Sequence, residues 1–378
     1  MIPYGRQSIS DEDVAAVVAV LRSDFLTQGP AVPRFEAEVA RIVGARHAVA
    51  ANSATSALHV ACLALGLGKG DFLWTVPNTF VASANCGVYC GASVDFVDID
   101  PVTLNMSVPA LEAKLADAER RGRLPKVLVP VHFAGEPCDM AAIGALARRY
   151  GVRVIEDASH AIGARQAGRM VGDCAHSDVT VFSFHPVKIV TTAEGGMAVT
   201  QDERLAERMA LFRSHGITRD PALMQGAVEG PWFYQQLELG YNYRMTDLQA
   251  ALGLSQLSRL EAFAARRQGL AARYDRLLAG LPVALPYRDA ANLSALHLYP
   301  VQVARRASVF DALRAAGIGV NVHYFPVHLQ PFYRAMGFAA GQFPAAEAYY
   351  DRAITLPLHP ALTEAEQDHV VSSLRAAL

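Results

Sequence analysis

The chain has 378 residues, 52% hydrophobic and 19% charged, with 34 Lys and Arg against 36 Asp and Glu for a net charge of −2. That apolar content excludes a disordered chain, and the length is that of roughly two to three ordinary domains. The balanced charge leaves no footprint for nucleic acid or an anionic membrane, so a small-molecule partner is expected.

Ser10 opens the first predicted helix. Val14, Val17, Val18 and Leu21 recur at helical spacing, and Asp13 stands where a reciprocal cap needs a carboxylate. A second helix is expected from Pro33 through Phe35, Val39, Ile42 and Val43, with Gly44 past its end. Leu26 to Pro30 read as the turn between them. From about residue 50, helical stretches alternate with short apolar runs at 94–99, 127–133, 152–156, 179–184 and 196–200, which predicts a parallel or mixed sheet covered on both faces. The stretch 141–150 reads as the helix of a strand–helix–strand unit.

After about residue 250 the texture changes to a long Ala-, Leu- and Arg-rich helix. Strand-like segments at 296–303 and 318–324 then flank a helix near 309–316, and helices near 345–353 and 363–377 close the chain. The expected architecture is a large α/β domain over residues 1–250, including the N-terminal helices, and a smaller α+β domain over 251–378. The cysteines, Cys62, Cys86, Cys90, Cys138 and Cys174, have no C-x-x-C spacing and suit buried thiols in a reducing compartment. No leader or spanning segment is read, no metal set is expected, and a cytoplasmic location follows as the default.

Lysine occurs only at positions 69, 114, 126 and 188, and Lys188 alone sits among apolar residues just beyond a predicted strand. Lost hydration there lowers a lysine pKa and frees a neutral amine for Schiff-base chemistry, although a lysine at a strand end can also simply snorkel. Asp157 ends the run from Val152 through Ile155, a place suited to protonating a pyridine nitrogen or to capping the next segment. Asn52-Ser53-Ala54-Thr55-Ser56 opens a helix whose N-terminus could hold a phosphate, or could be an ordinary hydroxyl cap. Phe80, after Pro77-Asn78-Thr79, could stack on a heteroaromatic ring or belong to the core. No Walker loop and no G-x-G-x-x-G is present, which leaves nicotinamide binding without support.

Taken in order, these segments resemble the fold-type-I pyridoxal-phosphate class, and within it the sugar aminotransferases of the DegT/DnrJ/EryC1/StrS group. The resemblance runs over essentially the whole chain. It includes Asp24 to Pro30, Pro77 to Phe80, Val131-His132-Phe133-Ala134-Gly135, Glu156-Asp157-Ala158, Ser183 to Lys188, Glu194-Gly195-Gly196, Gly240 to Arg244 and Pro326 to Pro331. Arg213 to Ile217 and the stretch from His323 to Tyr333 are most similar to the pseudaminic-acid-pathway enzymes, which aminate carbon 4 of a UDP-linked keto-sugar.

The resemblance implies pyridoxal 5'-phosphate as cofactor, bonded by Lys188, with Asp157 on its ring nitrogen and Phe80 on its face. His160 stands where many members carry glutamine for the ring hydroxyl. Ala54, Thr55 and Ser183 would hold the phosphate together with Asn242 of a second subunit, making the site shared in a homodimer. Arg244 is the candidate for the carboxylate of the donor, L-glutamate, and Tyr324 and His328 for the nucleotide-linked keto-sugar. Dehydratases on the same scaffold carry histidine in place of the Schiff-base lysine, and Lys188 argues against that reading.

Overall fold

The computed structural model describes residues 1–378. The first helix, α1 (Asp11–Leu21), has the expected reciprocal cap: Asp13 N–H donates to Ser10 Oγ at 3.4 Å, and Ser10 N–H donates to the Asp13 carboxylate at 2.9 Å. The same carboxylate is fully buried and accepts from Gln256 at 2.6 Å and from Arg259. One acidic side chain thus starts α1 and ties it to a helix nearly 250 residues away.

Helix α2 (Ala31–Val43) begins two residues before the expected proline. Its start is capped from outside: Asp247 accepts from Gly29 N–H and Ala31 N–H, each at 2.7 Å. That carboxylate lies too far along the sequence for local pattern to reveal it.

Seven strands form the central sheet: β1 (His47–Ala51), β2 (Phe72–Thr75), β3 (Ser93–Phe96), β4 (Val127–Leu128), β5 (Arg153–Asp157), β6 (Val179–Ser183) and β7 (Gly196–Thr200). Their order is β1-β7-β6-β5-β4-β2-β3. Only β7 runs antiparallel to its neighbours, so the sheet is mostly parallel, as expected. Helices α3 (Ala54–Ala64), α4 (Ala82–Tyr89), α5 (Val108–Arg120), α6 (Met140–Tyr150) and α7 (Glu203–Arg213) connect the strands or follow them. Strand alternation divides the core in two: Ala198 of β7 faces one buried cluster, while Met197 and Val199 face the other.

The expected strand at 127–133 keeps only Val127 and Leu128, with an isolated bridge at Val131. Pro130 has no amide to donate to the ladder, and its carbonyl instead accepts from Asp157 N–H at 2.9 Å.

Helix α8 (Asp247–Leu257) packs on α1 and α2 of the large core, so the expected division at 250/251 falls inside a helix. A third buried cluster begins at Leu270 in α9 (Leu260–Leu278). It gathers α10 (Arg306–Ala315), α12 (Glu364–Ala377), and the strands β8 (Tyr299–Gln302) and β9 (Ala353–Leu356), which pair antiparallel. Between these elements, α11 (Pro344–Arg352) returns to the large core through Ala346 and Tyr349. The N-terminus is stitched to the smaller unit by a parallel pairing of Ile2 and Pro3 with Ile318 and Gly319; the expected strand at 318–324 is reduced to those two residues and an isolated bridge between Asn321 and Thr355. No helix is long and apolar enough to cross a membrane.

Candidate active site

A cleft of about 540 Å³ opens beyond the carboxyl ends of β5 and β6, where parallel strands stop and loops diverge. Ala54, Thr55, Phe80, Asp157, His160, Ser183, Lys188 and Tyr324 all line it. These residues are scattered over 271 positions (54 to 324), and the sheet edge brings them together.

Lys188 lies in the turn after β6, its amide donating to His185 O at 2.9 Å. Burial strips the ammonium of water and pulls its pKa from the ordinary lysine value to about 8, while the charge of Asp157 works in the opposite sense. A useful fraction of neutral amine therefore exists near neutral pH. Asp157 ends β5, buried to 5% exposure, and accepts from Ser83 Oγ at 2.6 Å and from both the amide and the hydroxyl of Ser159, at 3.1 and 2.6 Å.

His160 is a buried, neutral group. Ala134 N–H donates to its Nδ1 at 3.2 Å, which places the ring proton on Nε2, and Nε2 donates to the Tyr324 hydroxyl at 3.1 Å. Burial, followed by the charge of Lys188, pushes the His160 pKa well down. His323, also lining the cleft, is driven to about 3 by burial and then by Lys188. The histidines therefore enter as hydrogen-bonding groups rather than as cations.

At the opposite wall, Ser53 caps α3, its hydroxyl accepting from Ser56 N–H at 3.1 Å while its carbonyl accepts from Ala57 N–H at 3.0 Å. The amides of Ala54 and Thr55 are left over at the positive end of the helix dipole, facing the cleft near Ser183. Strand β7 passes so close beneath that a Cβ at Gly196 would stand 2.4 Å from Ala54 N and 2.5 Å from the Ser53 carbonyl. Gly196→Ala must displace the helix start. We expect it to weaken binding of pyridoxal phosphate by about tenfold or more, the equivalent of one charge-assisted hydrogen bond, as read by titrating apoprotein with cofactor. Unchanged affinity would reject the cradle.

The other expected site residues lie elsewhere. His328, expected on the sugar nucleotide, is fully buried in the short turn Val327–Leu329. Its Nε2 meets Glu347 at 3.0 Å and its ring packs edge-on against Phe343 at 4.8 Å, so it belongs to the core. The turn points inward because Val327 anchors it, donating its amide to Pro77 O at 2.9 Å. Asn242 is exposed and Arg244 half-buried, and neither lines the cleft of its own chain.

Sequence reasoning missed Tyr4, Ser83, Ser159, His185, Glu194, Asn321 and His323. The hydroxyl two residues after Asp157 was a readable signal, since Asp and Ser at that spacing commonly bond locally. Tyr4 had none, because it reaches the cleft through the pairing of Ile2–Pro3 with a strand more than 300 residues away. A separate cavity of about 470 Å³, lined by Glu136, Glu156 and Asp289, lies apart from Lys188. Glu156 neighbours Asp157 on β5 and so faces the opposite side of the sheet.

A helix-start anion cradle, a carboxylate at a strand end and a half-buried lysine with a depressed pKa fit pyridoxal phosphate in phosphate, ring nitrogen and aldehyde respectively. A family model described as the DegT/DnrJ/EryC1/StrS aminotransferase family matches residues 7–375. Among curated proteins, the spore coat polysaccharide biosynthesis protein SpsC of Bacillus subtilis is 39% identical, with 99% of this chain and 96% of that protein covered. Two solved structures superpose with a TM-score of 0.91 at 30% identity over 100% of this chain. They are the putative sugar aminotransferase Spr1654 of Streptococcus pneumoniae in its PMP form, 99% covered, and Helicobacter pylori PseC, an aminotransferase involved in the biosynthesis of pseudoaminic acid, 98% covered. The chain belongs to the DegT/DnrJ/EryC1/StrS family of pyridoxal-phosphate-dependent sugar aminotransferases.

Proposed function

We propose that the chain transfers an amino group from L-glutamate to carbon 4 of a nucleotide-linked 4-keto-6-deoxy sugar. The substrate read for it is UDP-2-acetamido-2,6-dideoxy-β-L-arabino-hex-4-ulose, giving UDP-4-amino-4,6-dideoxy-N-acetyl-β-L-altrosamine as a step toward pseudaminic acid. The observation that carries the amino-transfer reading is the convergence of Lys188, Asp157 and the α3 N-terminus on one cleft. Full-length likeness to PseC supports the choice of sugar. The higher identity to SpsC favours a second reading, in which the same chemistry acts at carbon 4 or 3 of a different UDP-, GDP- or dTDP-linked keto-sugar.

Bound pyridoxal phosphate supplies the aldehyde that carries the amino group and the ring that draws electrons from the carbon losing its proton. Lys188 moves that proton as general base and then acid, a task matched by an amine pulled down to about 8. Asp157 holds the ring nitrogen, and the amides of Ala54 and Thr55 with Ser183 hold the phosphate. Phe80, 58% exposed at the mouth, covers the ring face. His160 donates to the Tyr324 hydroxyl, which leaves the tyrosine's own proton free to turn toward a ring hydroxyl or the sugar. In a cytoplasmic homodimer, Asn242 completes the partner's phosphate site and Arg244 pairs with the donor carboxylate; the exposure of Asn242 outside its own cleft supports this.

The test is a panel of nucleotide-linked keto-sugars incubated with holoenzyme and glutamate. We expect the 4-keto UDP sugar to yield its 4-amino product and 2-oxoglutarate one for one. If glutamate is consumed only with another sugar, the second reading replaces the first; if no keto-sugar is aminated, both fall.

A further inference from the structure

Asp157 is held by two hydroxyls, those of Ser83 and Ser159, to which the family match assigns no role. A carboxylate offers four lone-pair positions, two on each oxygen. On Oδ1 both are taken, by the Ser159 amide at 3.1 Å and the Ser159 hydroxyl at 2.6 Å. On Oδ2 one is taken, by the Ser83 hydroxyl at 2.6 Å. Ser83 has a single proton and the carboxylate is its nearest acceptor, so the 2.8 Å contact with Thr79 must run from the Thr79 hydroxyl to Ser83 Oγ. Thr79, Ser83 and Asp157 are each no more than 5% exposed, which removes competing water and strengthens each bond in the chain.

We infer that Ser83 and Ser159 are positioning residues that fix the Asp157 carboxylate with one open lone pair, on Oδ2, presented to the cofactor ring. The inference rests on the reading of Asp157 as partner of the ring nitrogen. Ser83 sits in the first turn of α4 and Ser159 just beyond β5, so the carboxylate is clamped between a helix and a strand end. Three donors from two separate elements fix the direction of the carboxylate, so its remaining lone pair stays aimed at one position in the cleft. Each hydroxyl removed lets the carboxylate rotate and loosens its hydrogen bond to the ring N–H, which the nitrogen resonance reads.

The experiment loads Ser83→Ala, Ser159→Ala, Ser159→Thr and Asp157→Asn with cofactor carrying ¹⁵N in the ring and records the nitrogen resonance beside steady-state kinetics. In Ser83→Ala and Ser159→Ala we expect the resonance to move from the protonated toward the unprotonated position. Their kcat should fall by about tenfold, the usual worth of one hydrogen bond to a charged group, with KM within about twofold. Ser159→Thr restores the hydroxyl and should return both readouts to wild type. Should Ser83→Ala fail to fold, the Ser159 pair still decides. An unmoved resonance in the alanine variants, with a shifted one in Asp157→Asn, overturns the role of the serines while leaving that of Asp157 intact. An unmoved resonance in Asp157→Asn overturns the reading of Asp157 itself.

Discussion

Lys188→Ala is expected to lower amino transfer by at least about 10⁴-fold, because in the proposed function the same amine serves as covalent anchor and as general base, and base removal alone is worth roughly 10²–10⁴. The apoprotein should respond in the opposite direction. The ordinary lysine value near 10.5 falls to about 8 in the folded chain through burial. The folded state thus binds fewer protons than the unfolded state between those two values, and stability rises with pH across that window. Below about pH 8 the full penalty applies, up to about 3 kcal/mol by the conversion of a shift into free energy, less whatever solvent screening the half-buried amine retains.

Lys188→Met keeps most of the apolar stem and removes the charge. Its apoprotein is expected to be about 1–3 kcal/mol more stable than wild type at pH 7, the excess vanishing above pH 10.5. Urea unfolding of both apoproteins at pH 7 and pH 10.5 measures this. A Lys188→Met apoprotein that is no more stable at pH 7, or an alanine variant that still turns over, would mean that the amine is not held in the cleft as described.

Much of this site was legible in the sequence, for physical reasons that differ residue by residue. Lys188 stood out as one of four lysines and the only one in apolar surroundings. Asp157 was marked by the apolar run that ends at it, and Ala54 and Thr55 by the hydroxyl-rich helix start. These are local signals, each carried within about ten residues. His328 looked equally suitable by type, but the direction of its turn is set by a hydrogen bond to Pro77 O, 250 residues away. Asp13 and Asp247 bind helices distant in sequence, and Tyr4 arrives by a two-residue strand pairing. The strand order likewise exists only in pairings between segments. Chemistry-bearing residues could be found from their neighbours in the chain, whereas their convergence and their exclusion from the cleft depended on contacts that no window contains.

Arg267→Met is expected to destabilise the fold by about 3–5 kcal/mol, the largest stability effect argued for this chain. Arg267 lies in α9 with 1% exposure, and its Nη1 donates to the carbonyls of Leu296, His297 and Leu358 at 3.1, 3.2 and 2.9 Å. Burial lowers its pKa only to about 10, so it stays charged at neutral pH. Two terms oppose each other. Methionine would relieve the cost of desolvating the guanidinium, which for some buried pairs makes an apolar replacement neutral. Here the partners are three backbone carbonyls that cannot be removed with it, and each left unsatisfied in the interior costs about 1–3 kcal/mol.

The loss outweighs the relief, and it falls on the segment that supports the cleft. Ala295 N–H and Leu298 N–H donate to Gly135 O and Ala134 O, the His297 ring lies 4.5 Å from that of His160, and Ala134 N–H fixes the His160 tautomer. Urea midpoints of Arg267→Met and of Arg276→Met, a control on an exposed arginine of the same helix, should separate by the stated amount. Arg267→Met should also bind cofactor more weakly than the control, since the loosened carbonyl segment frees His160. Equal midpoints for the two variants would show that the carbonyls find other donors, and that the link from the smaller unit to the cleft runs elsewhere.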